Sequence, residues 1–285
     1  MPSETTQKFD YSESAVIEAN IELYRRIAAK YDCNETCASS LELQRMLDRD
    51  VDRIAMALGA RSEPIECLDC GAGTGNLTLK MLRKGWSVTA VDVSSEMLAI
   101  LRDKARRAGY SPQLIHDSFT DFLARCDRSY DVITFSSVLH HVQSYLSGVS
   151  IAAEHIAKKG VFYSAFDPVI SAHPHAARYF DAFDALLAKL AKDRSDLLAG
   201  VGRRLKKGFL RTSGRPRPIV SAGDLAEYHA KTGIDDRAII EALKERGFMV
   251  VDYSRRAFGR TSAAIRINSR LHLRESCKIM AQRST

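Results

Sequence analysis

Three glycines at alternating positions follow a short apolar stretch, and their spacing suggests a binding loop. Gly71, Gly73 and Gly75 come directly after Ile65-Glu-Cys-Leu-Asp-Cys70. Glycine has no Cβ, so the chain can turn tightly here and a ligand can approach bare backbone amides. A helix that follows the loop adds N–H groups without an intrahelical partner. The pattern therefore indicates a pocket for a nucleotide-sized ligand.

Acidic and histidine side chains follow later apolar stretches. Asp92 ends Val-Thr-Ala-Val-Asp, Asp117 ends Leu-Ile-His-Asp, and a fourth stretch reads Tyr130-Asp-Val-Ile-Thr-Phe-Ser-Ser-Val-Leu-His-His141. Carboxylates accept hydrogen bonds and imidazoles titrate near neutral pH, so these residues can bind polar ligand groups or move protons. Each aspartate, taken alone, could instead cap a helix.

Strands and helices alternate around these residues. The apolar patterns predict strands at 65–69, 87–91, 113–116, 130–135 and 161–166, and helices at 76–84, 95–108, 119–124 and 143–157. This alternation predicts an α/β fold with a doubly wound, mostly parallel sheet covered on both faces. Because ligands bind at the carboxyl edge of such sheets, the glycines, aspartates and histidines should meet there.

Further helices and strands are predicted on either side of this core. Helices are expected at 12–31, from the capping-box pair Ser39 and Glu42 to Gly59, at 178–199, at 222–231, and at 237–246 with Asp236 as its cap. A strand pair is expected at 248–254 and 261–267, and the basic tail after Asn268 should pack weakly. These patterns rest on helical spacing, capping residues and terminal glycines.

The chain is accordingly divided into four parts. They are N-terminal helices forming a partial lid (1–60), a core (61–169 with 235–268), a helical insertion after the fifth strand (170–234) and a basic tail (269–285). The insertion leaves from the end of a parallel strand, which is the ligand side of the sheet. We therefore expect it to form a lid over bound substrate.

Four ordered segments between residues 65 and 168 resemble the motifs of class I methyltransferases that use S-adenosylmethionine. The resemblance implies a Rossmann-like fold, S-adenosyl-L-methionine as cofactor, S-adenosyl-L-homocysteine as product, and methyl transfer (EC 2.1.1). It also implies a set of cofactor-binding residues: Asp69, Gly71, Ala72, Gly73, Asp92, Val93, Met97, Asp117, Ser118 and Ser136.

The resemblance gives several of these residues separate roles. Asp69 would meet the cofactor's ammonium group, Asp92 the two ribose hydroxyls, and Asp117 the adenine N6 amine. A nicotinamide-binding domain is the competing interpretation of the glycine loop. Its GxGxxG motif would require glycine at position 76, where this chain has Asn76.

Methyl transfer to a hydroxyl or a carbon acid benefits from a general base. His140 and His141 follow the fourth strand and are the candidates, although either could serve only in packing. Further candidates for contacts to the substrate lie in the lid segments: Tyr11, Tyr24, Tyr31, His173, His175 and His229. No group of His, Cys and carboxylate residues has the sequence spacing of a metal site, so no metal is predicted.

The acceptor is expected to be a small molecule, methylated at O, N or C and with a possible anionic group. The alternative is an RNA or protein substrate bound by the basic segment 203–217, although the Asn/Asp-Pro-Pro-Tyr/Phe motif of base-amine methyltransferases is missing after the fourth strand. A non-catalytic cofactor-binding protein is a further alternative. Nucleic acid is therefore possible as a partner but is not favoured.

Composition sets outer limits on these interpretations. The chain has 285 residues, a net charge of +7 and six cysteines without a disulfide framework. The lone pair Cys67 and Cys70 should lie on opposite faces of a strand as small buried residues. The polar N-terminus and the lack of a long apolar run indicate a cytoplasmic protein without a membrane partner. No pattern indicates an oligomeric state.

Overall fold

The computed structural model describes residues 12–192, 225–259 and 262–284, which contain one seven-stranded sheet. The strands are β1 (Glu66–Cys70), β2 (Ser87–Asp92), β3 (Gln113–His116), β4 (Tyr130–Ser136), β5 (Ile156–Pro168), β6 (Phe248–Ala257) and β7 (Glu275–Arg283). Their order is β3-β2-β1-β4-β5-β7-β6. Strands β1 to β5 are parallel, and β7 runs antiparallel to both β5 and β6. The expected Rossmann-like, mostly parallel architecture is confirmed.

Helices connect and flank these strands. They are α1 (Glu13–Ile27), α2 (Tyr31–Asn34), α3 (Thr36–Ser39), α4 (Leu41–Leu58), α5 (Thr78–Arg83), α6 (Ser95–Arg107), α7 (Phe119–Ala124), α8 (Tyr145–Glu154), α9 (Pro174–Lys192), α10 (Asp236–Lys244) and α11 (Ser262–Leu271). None of the helices in the described part of the chain has the length and apolar character needed to cross a membrane. Two predicted caps are wrong by one residue. Ser40 caps α4 instead of Ser39, and Asp235 caps α10 instead of Asp236.

Two layers of helices bury the two faces of the sheet. One apolar cluster contains residues of α7, α8 and α10, and the other contains residues of α4 and α5. Within β1, Cys67 belongs to the second cluster and Cys70 to the first. The two thiols therefore lie on opposite faces as predicted, and both are free and buried.

The C-terminal part of the sequence prediction is wrong in two places. A strand was predicted at 261–267, but the described residues 262–267 belong to the helix α11, which begins at Ser262. The strand that pairs with β6 is β7, which lies in the segment expected to be a weakly packed tail. Ile279 is fully buried there, and Lys278 is paired with Asp50 and Asp252. The basic composition of the tail suggested that it would be exposed. The carboxylates of Asp50 and Asp252 balance the charge of Lys278, and this allows the strand to be buried.

Candidate active site

The glycine loop uses its three glycines for different purposes. All three have positive φ angles, 64° at Gly71, 53° at Gly73 and 88° at Gly75. A Cβ at Gly71 would lie 2.5 Å from Val138 and one at Gly75 2.2 Å from Leu101. At Gly73 the nearest side-chain atom would be 4.0 Å away. Gly71 and Gly75 therefore permit close packing, whereas Gly73 leaves backbone accessible beside the cavity.

Two adjoining cavities lie at the carboxyl edge of the sheet, with volumes of about 820 and 330 Å³. Gly71, Gly73, Tyr31 and Ser136 line both of them. The larger cavity is also lined by five further residues of the predicted cofactor set: Asp92, Val93, Met97, Asp117 and Ser118. The smaller one adds Asp69 and Ala72. The fold thus brings all ten predicted cofactor residues to one connected space.

Asp69 is a buried carboxylate at the end of β1. It accepts hydrogen bonds from the hydroxyls of Thr78 (2.5 Å) and Thr134 (2.8 Å). Burial raises the pKa of the Asp69 carboxyl to about 6, although the two threonine bonds oppose this shift. A cationic group in the smaller cavity would stabilise the ionised carboxylate.

Asp92 fixes the conformation of the glycine loop. Its carboxylate accepts the backbone N–H of Gly73 at 2.7 Å and that of Ser94 at 2.8 Å. Burial raises the pKa of the Asp92 carboxyl, and the two backbone bonds oppose that shift. Each carboxylate oxygen has a second lone pair, so Asp92 can still accept hydrogen bonds from a ligand.

Asp117 and Ser118 lie side by side at the rim of the larger cavity. The Ser118 backbone N–H donates to Asp117 at 2.9 Å, and Asp117 also forms an ion pair with Arg125. The Ser118 hydroxyl accepts the Asp121 N–H and so caps α7. The Ser118 backbone N–H is therefore paired with the Asp117 carboxylate in this structure.

Helix α1 covers the larger cavity and contributes lining residues that the sequence analysis did not identify. They are Glu13, Val16, Ile17 and Asn20, next to the predicted Tyr24. The sequence offered little indication that these residues line a cavity, because any amphipathic helix buries a row of apolar residues along one face. Only the polar Asn20 within that row is unusual. Tyr11 lies outside the described residues.

The segment after α1 contacts the glycine loop itself. Asp32 accepts the Thr74 hydroxyl at 2.5 Å and forms an ion pair with Lys104, which also donates to the Thr74 carbonyl at 3.0 Å. Gln44 donates to the Asn76 side chain at 2.6 Å. The N-terminal helices thus close over the loop through polar contacts that residue spacing alone does not reveal.

His141 lies at the wall of the larger cavity and is held in a defined tautomer. Its Nδ1 is 2.7 Å from the carbonyl oxygen of Ala226, so Nδ1 carries the proton. Its Nε2 then accepts a hydrogen bond from the Tyr24 hydroxyl at 2.8 Å. Burial, followed by the charge of His140, lowers the pKa of His141 well below its usual value. His141 is therefore neutral at physiological pH.

His140 is buried, and it is absent from the described lining of either cavity. Its Nδ1 lies 2.8 Å from Asp167, and its Nε2 lies 3.9 Å from a Glu227 carboxylate oxygen. Burial acts to lower the pKa of His140, but the hydrogen bond and charge of Asp167 outweigh it and the pKa is raised. The two adjacent histidines thus have opposite charge preferences.

The remaining lid histidines lie apart from the cavities. His173 and His175 are exposed near the start of α9, and neither contributes to the described lining. The backbone N–H of His229 donates to the His140 carbonyl at 2.7 Å, and its ring contacts the Gln143 carbonyl at 3.1 Å. His229 therefore contacts the backbone at and just after the histidine pair and helps to hold the pair in place. The basic segment 203–217 lies outside the described residues.

Comparison with known proteins shows to which family this chain belongs. A family model described as a methyltransferase domain matches residues 41–253. The ubiquinone biosynthesis O-methyltransferase of Cronobacter sakazakii is 34% identical over 98 residues, which are 34% of this chain and 40% of that protein. The tRNA 5-carboxymethoxyuridine methyltransferase of Escherichia coli K12 is 28% identical over 173 residues, or 58% of this chain and 65% of that one.

Solved structures share the fold at low sequence identity. Magnesium protoporphyrin IX methyltransferase from Synechocystis PCC 6803, crystallised with bound SAH, has a TM-score of 0.57 at 14% identity, covering 94% of this chain and 100% of that one. A [4+2]-cyclase, SpnF, has a TM-score of 0.56 at 15% identity, covering 93% and 95%. Because the family model spans most of the sequence, this chain belongs to the methyltransferase domain family.

Proposed function

We propose that this chain is an S-adenosylmethionine-dependent methyltransferase that acts on a small-molecule acceptor. The observation that carries the proposal is the convergence of ten residues from four separate segments on two joined cavities. Family membership supports methyl transfer as the reaction. The relationship to a [4+2]-cyclase makes a direct test necessary, since the fold also supports another reaction.

The residues present fit the cofactor. Gly73 leaves open backbone where a ligand can approach, and Asp69 provides a buried acceptor for an ammonium group in the smaller cavity. In the larger cavity, Asp92 would accept ribose hydroxyls, while Val93 and Met97 would contact the adenine. When bound, S-adenosylmethionine supplies a methyl group on a positively charged sulfonium.

The shape of the site supports a small acceptor. The larger cavity is a concave space of about 820 Å³ when the volume at its open mouth is included. Helix α1 covers it, and residues 225–229 contact the histidine pair beside it. A covered cavity excludes water and fixes the acceptor, and orientation can contribute up to ~7–11 kcal/mol to a displacement.

We assign the proton-accepting role to His141 and Tyr24. An acceptor hydroxyl that donates to the Tyr24 oxygen would lose its proton to Tyr24 as Tyr24 passes its own proton to His141 Nε2, which already accepts that hydrogen bond. The neutral state of His141 suits it for this role. His140 would position its neighbour, because its ring is held by Asp167 and does not line the cavity.

The proposed activity is tested with cofactor carrying a labelled methyl group. The protein is incubated with a metabolite extract and, separately, with bulk tRNA, and the Asp92→Asn variant serves as the site control. We expect label in low-molecular-weight products with the native chain, and much less label with the variant when the cofactor concentration is below saturation. Cofactor binding without transfer to either fraction would favour a non-catalytic binding protein.

RNA is the second candidate acceptor. The similarity to a tRNA methyltransferase over 173 residues favours it, as does the basic composition of segment 203–217. Label that appears in tRNA and not in the metabolite fraction would replace the small-molecule proposal with this one.

The role of His141 is tested once an acceptor is identified. We expect His141→Asn to lower the single-turnover rate by roughly 10²–10⁴-fold, the usual contribution of a general base. Tyr24→Phe should lower it as well, because the phenylalanine cannot pass a proton. His175→Asn is the matched control, since His175 is exposed on α9. A loss below about threefold in His141→Asn would remove His141 as a base.

A further inference from the structure

The histidine pair forms a three-residue cluster with a carboxylate that is distant in sequence. One potential ligand atom from each of His140, His141 and Glu227 lies within 4.8 Å of the others. Glu227 lies in the insertion, 86 positions after His141. This distance along the chain is why residue spacing gave no sign of a metal site.

Both imidazoles are oriented as metal-binding histidines are. His140 Nδ1 is hydrogen-bonded to Asp167, and His141 Nδ1 is hydrogen-bonded to the Ala226 carbonyl. In metal sites the second ring nitrogen usually donates to a carboxylate or a backbone carbonyl, which fixes the ring and its tautomer. The Nδ1 contacts direct both Nε2 atoms away from Asp167 and Ala226. His140 Nε2 lies 3.9 Å from a Glu227 oxygen, and His141 Nε2 holds the Tyr24 hydroxyl at 2.8 Å, which a bound ion would displace.

We propose that His140, His141 and Glu227 bind one divalent transition-metal ion through two Nε2 atoms and a carboxylate oxygen. Two imidazoles and one carboxylate with open positions suit Zn²⁺, Fe²⁺ or Co²⁺. The ligand atoms must draw together, because ligand bonds of about 2.0–2.2 Å require closer spacing than 4.8 Å. The half-buried Glu227 side chain supplies the freedom for this.

The ion would add a further connection between parts of the chain that already meet through hydrogen bonds and apolar packing. Two ligands follow β4, one lies in the insertion, and Tyr24 of α1 contacts His141 Nε2. Coordination at His141 Nε2 would displace the hydrogen bond from the Tyr24 hydroxyl. The proton transfer assigned above to His141 therefore applies to the metal-free protein. The metal-binding proposal does not depend on methyl transfer.

The test uses the full chain after dialysis against a chelator, without cofactor or acceptor. Addition of Co²⁺ should produce visible d–d absorption that saturates at one equivalent and is displaced by Zn²⁺. Glu227→Gln, which preserves the size of the side chain, should weaken Co²⁺ binding by at least tenfold. Glu241→Gln is the matched control, because the Glu241 side chain is exposed on α10, and this variant should bind Co²⁺ as the native chain does.

Several outcomes would overturn the proposal. They are the absence of d–d absorption, equal Co²⁺ affinity of Glu227→Gln and Glu241→Gln, or a thiolate-to-cobalt charge-transfer band. The last would place the ion on cysteine, with the exposed Cys33 as the first candidate. Because the assay measures binding alone, a negative result leaves the methyltransferase proposal standing, and the labelling experiment can fail while this one succeeds.

Discussion

At the scale of single residues, Asp92 does two things with one carboxylate. It holds the backbone N–H groups of Gly73 and Ser94, and it faces the larger cavity. In Asp92→Asn, the side-chain NH₂ would face one of these backbone N–H groups and could not accept its hydrogen bond. Because hydrogen bonds to charged groups contribute about 1.5–3 kcal/mol, we expect cofactor affinity to fall by roughly 10–100-fold in calorimetric titrations.

Asp103→Asn is the control for this variant, since Asp103 is an exposed residue on the neighbouring α6. It should bind cofactor with native affinity. Equal affinity of Asp92→Asn and Asp103→Asn would remove Asp92 from the cofactor site.

Asp69 predicts a pH dependence of stability. Its folded-state pKa of about 6 exceeds the ordinary value of 3.8, mainly because the carboxyl is buried. The folded chain therefore binds this proton more tightly than the unfolded chain, and stability falls as pH rises from 3.8 towards 6. Asp69→Asn removes this titration. Native stability relative to the variant should drop by about 2–3 kcal/mol between pH 4 and pH 7.

Urea unfolding of the cofactor-free proteins at a series of pH values measures this difference. Other titrating groups occur in both chains and cancel in the comparison. A difference that stays constant across the pH range would contradict the assigned environment of Asp69.

At the scale of elements, β7 has the clearest stability prediction. Ile279 is fully buried in a strand that pairs with both β5 and β6. Removing a buried isoleucine side chain leaves a cavity, so Ile279→Ala should lower the free energy of unfolding by about 2–5 kcal/mol. Met249→Ala on β6 should change it by less than about 0.5 kcal/mol, because Met249 is 64% exposed. Equal effects in denaturant titrations would contradict the central placement of β7.

The β7 example also shows where sequence reasoning reaches its limit. Strands β1 to β5 were predictable because parallel strands buried on both faces read as short apolar runs. In β7, Lys278 interrupts that run, and its partners Asp50 and Asp252 come from remote parts of the chain. Residues 262–271 contain isoleucines that suit a strand, yet tertiary packing makes this segment a helix.

The candidate site also has features that the sequence predicted and features that it did not. The convergence of the ten candidate cofactor residues was predictable because they lie at or near strand ends, and the topology brings the ends of parallel strands to one edge. Contacts between remote segments were not predictable from the sequence. The contact of Asp32 with Thr74 and that of His140 with Glu227 are examples. Their residue types are common on exposed helices, so only the folded chain distinguishes them.

At the scale of the whole molecule, three parts of the chain complete one wall of the site. Tyr24 of α1, His141 after β4 and the Ala226 carbonyl are connected by two successive hydrogen bonds. The insertion is in turn fastened to the C-terminal part of the core. Arg274 is nearly buried and donates to Asp181 of α9 at 2.8 Å and to the Lys231 carbonyl at 2.8 Å.

Arg274→Met tests whether this contact holds the insertion in place. Methionine keeps apolar packing but cannot donate, so α9 and residues 225–234 should open more often while the cofactor residues keep their positions. Hydrogen–deuterium exchange should become faster in peptides from 174–192 and 225–234, with cofactor affinity within about twofold of native, since sites without shared partners behave almost independently. Arg270→Met is the control, because Arg270 is an exposed residue of α11. Faster exchange throughout the sheet would instead mean that Arg274 supports the fold as a whole, and unchanged exchange in both segments would show that other contacts hold the insertion.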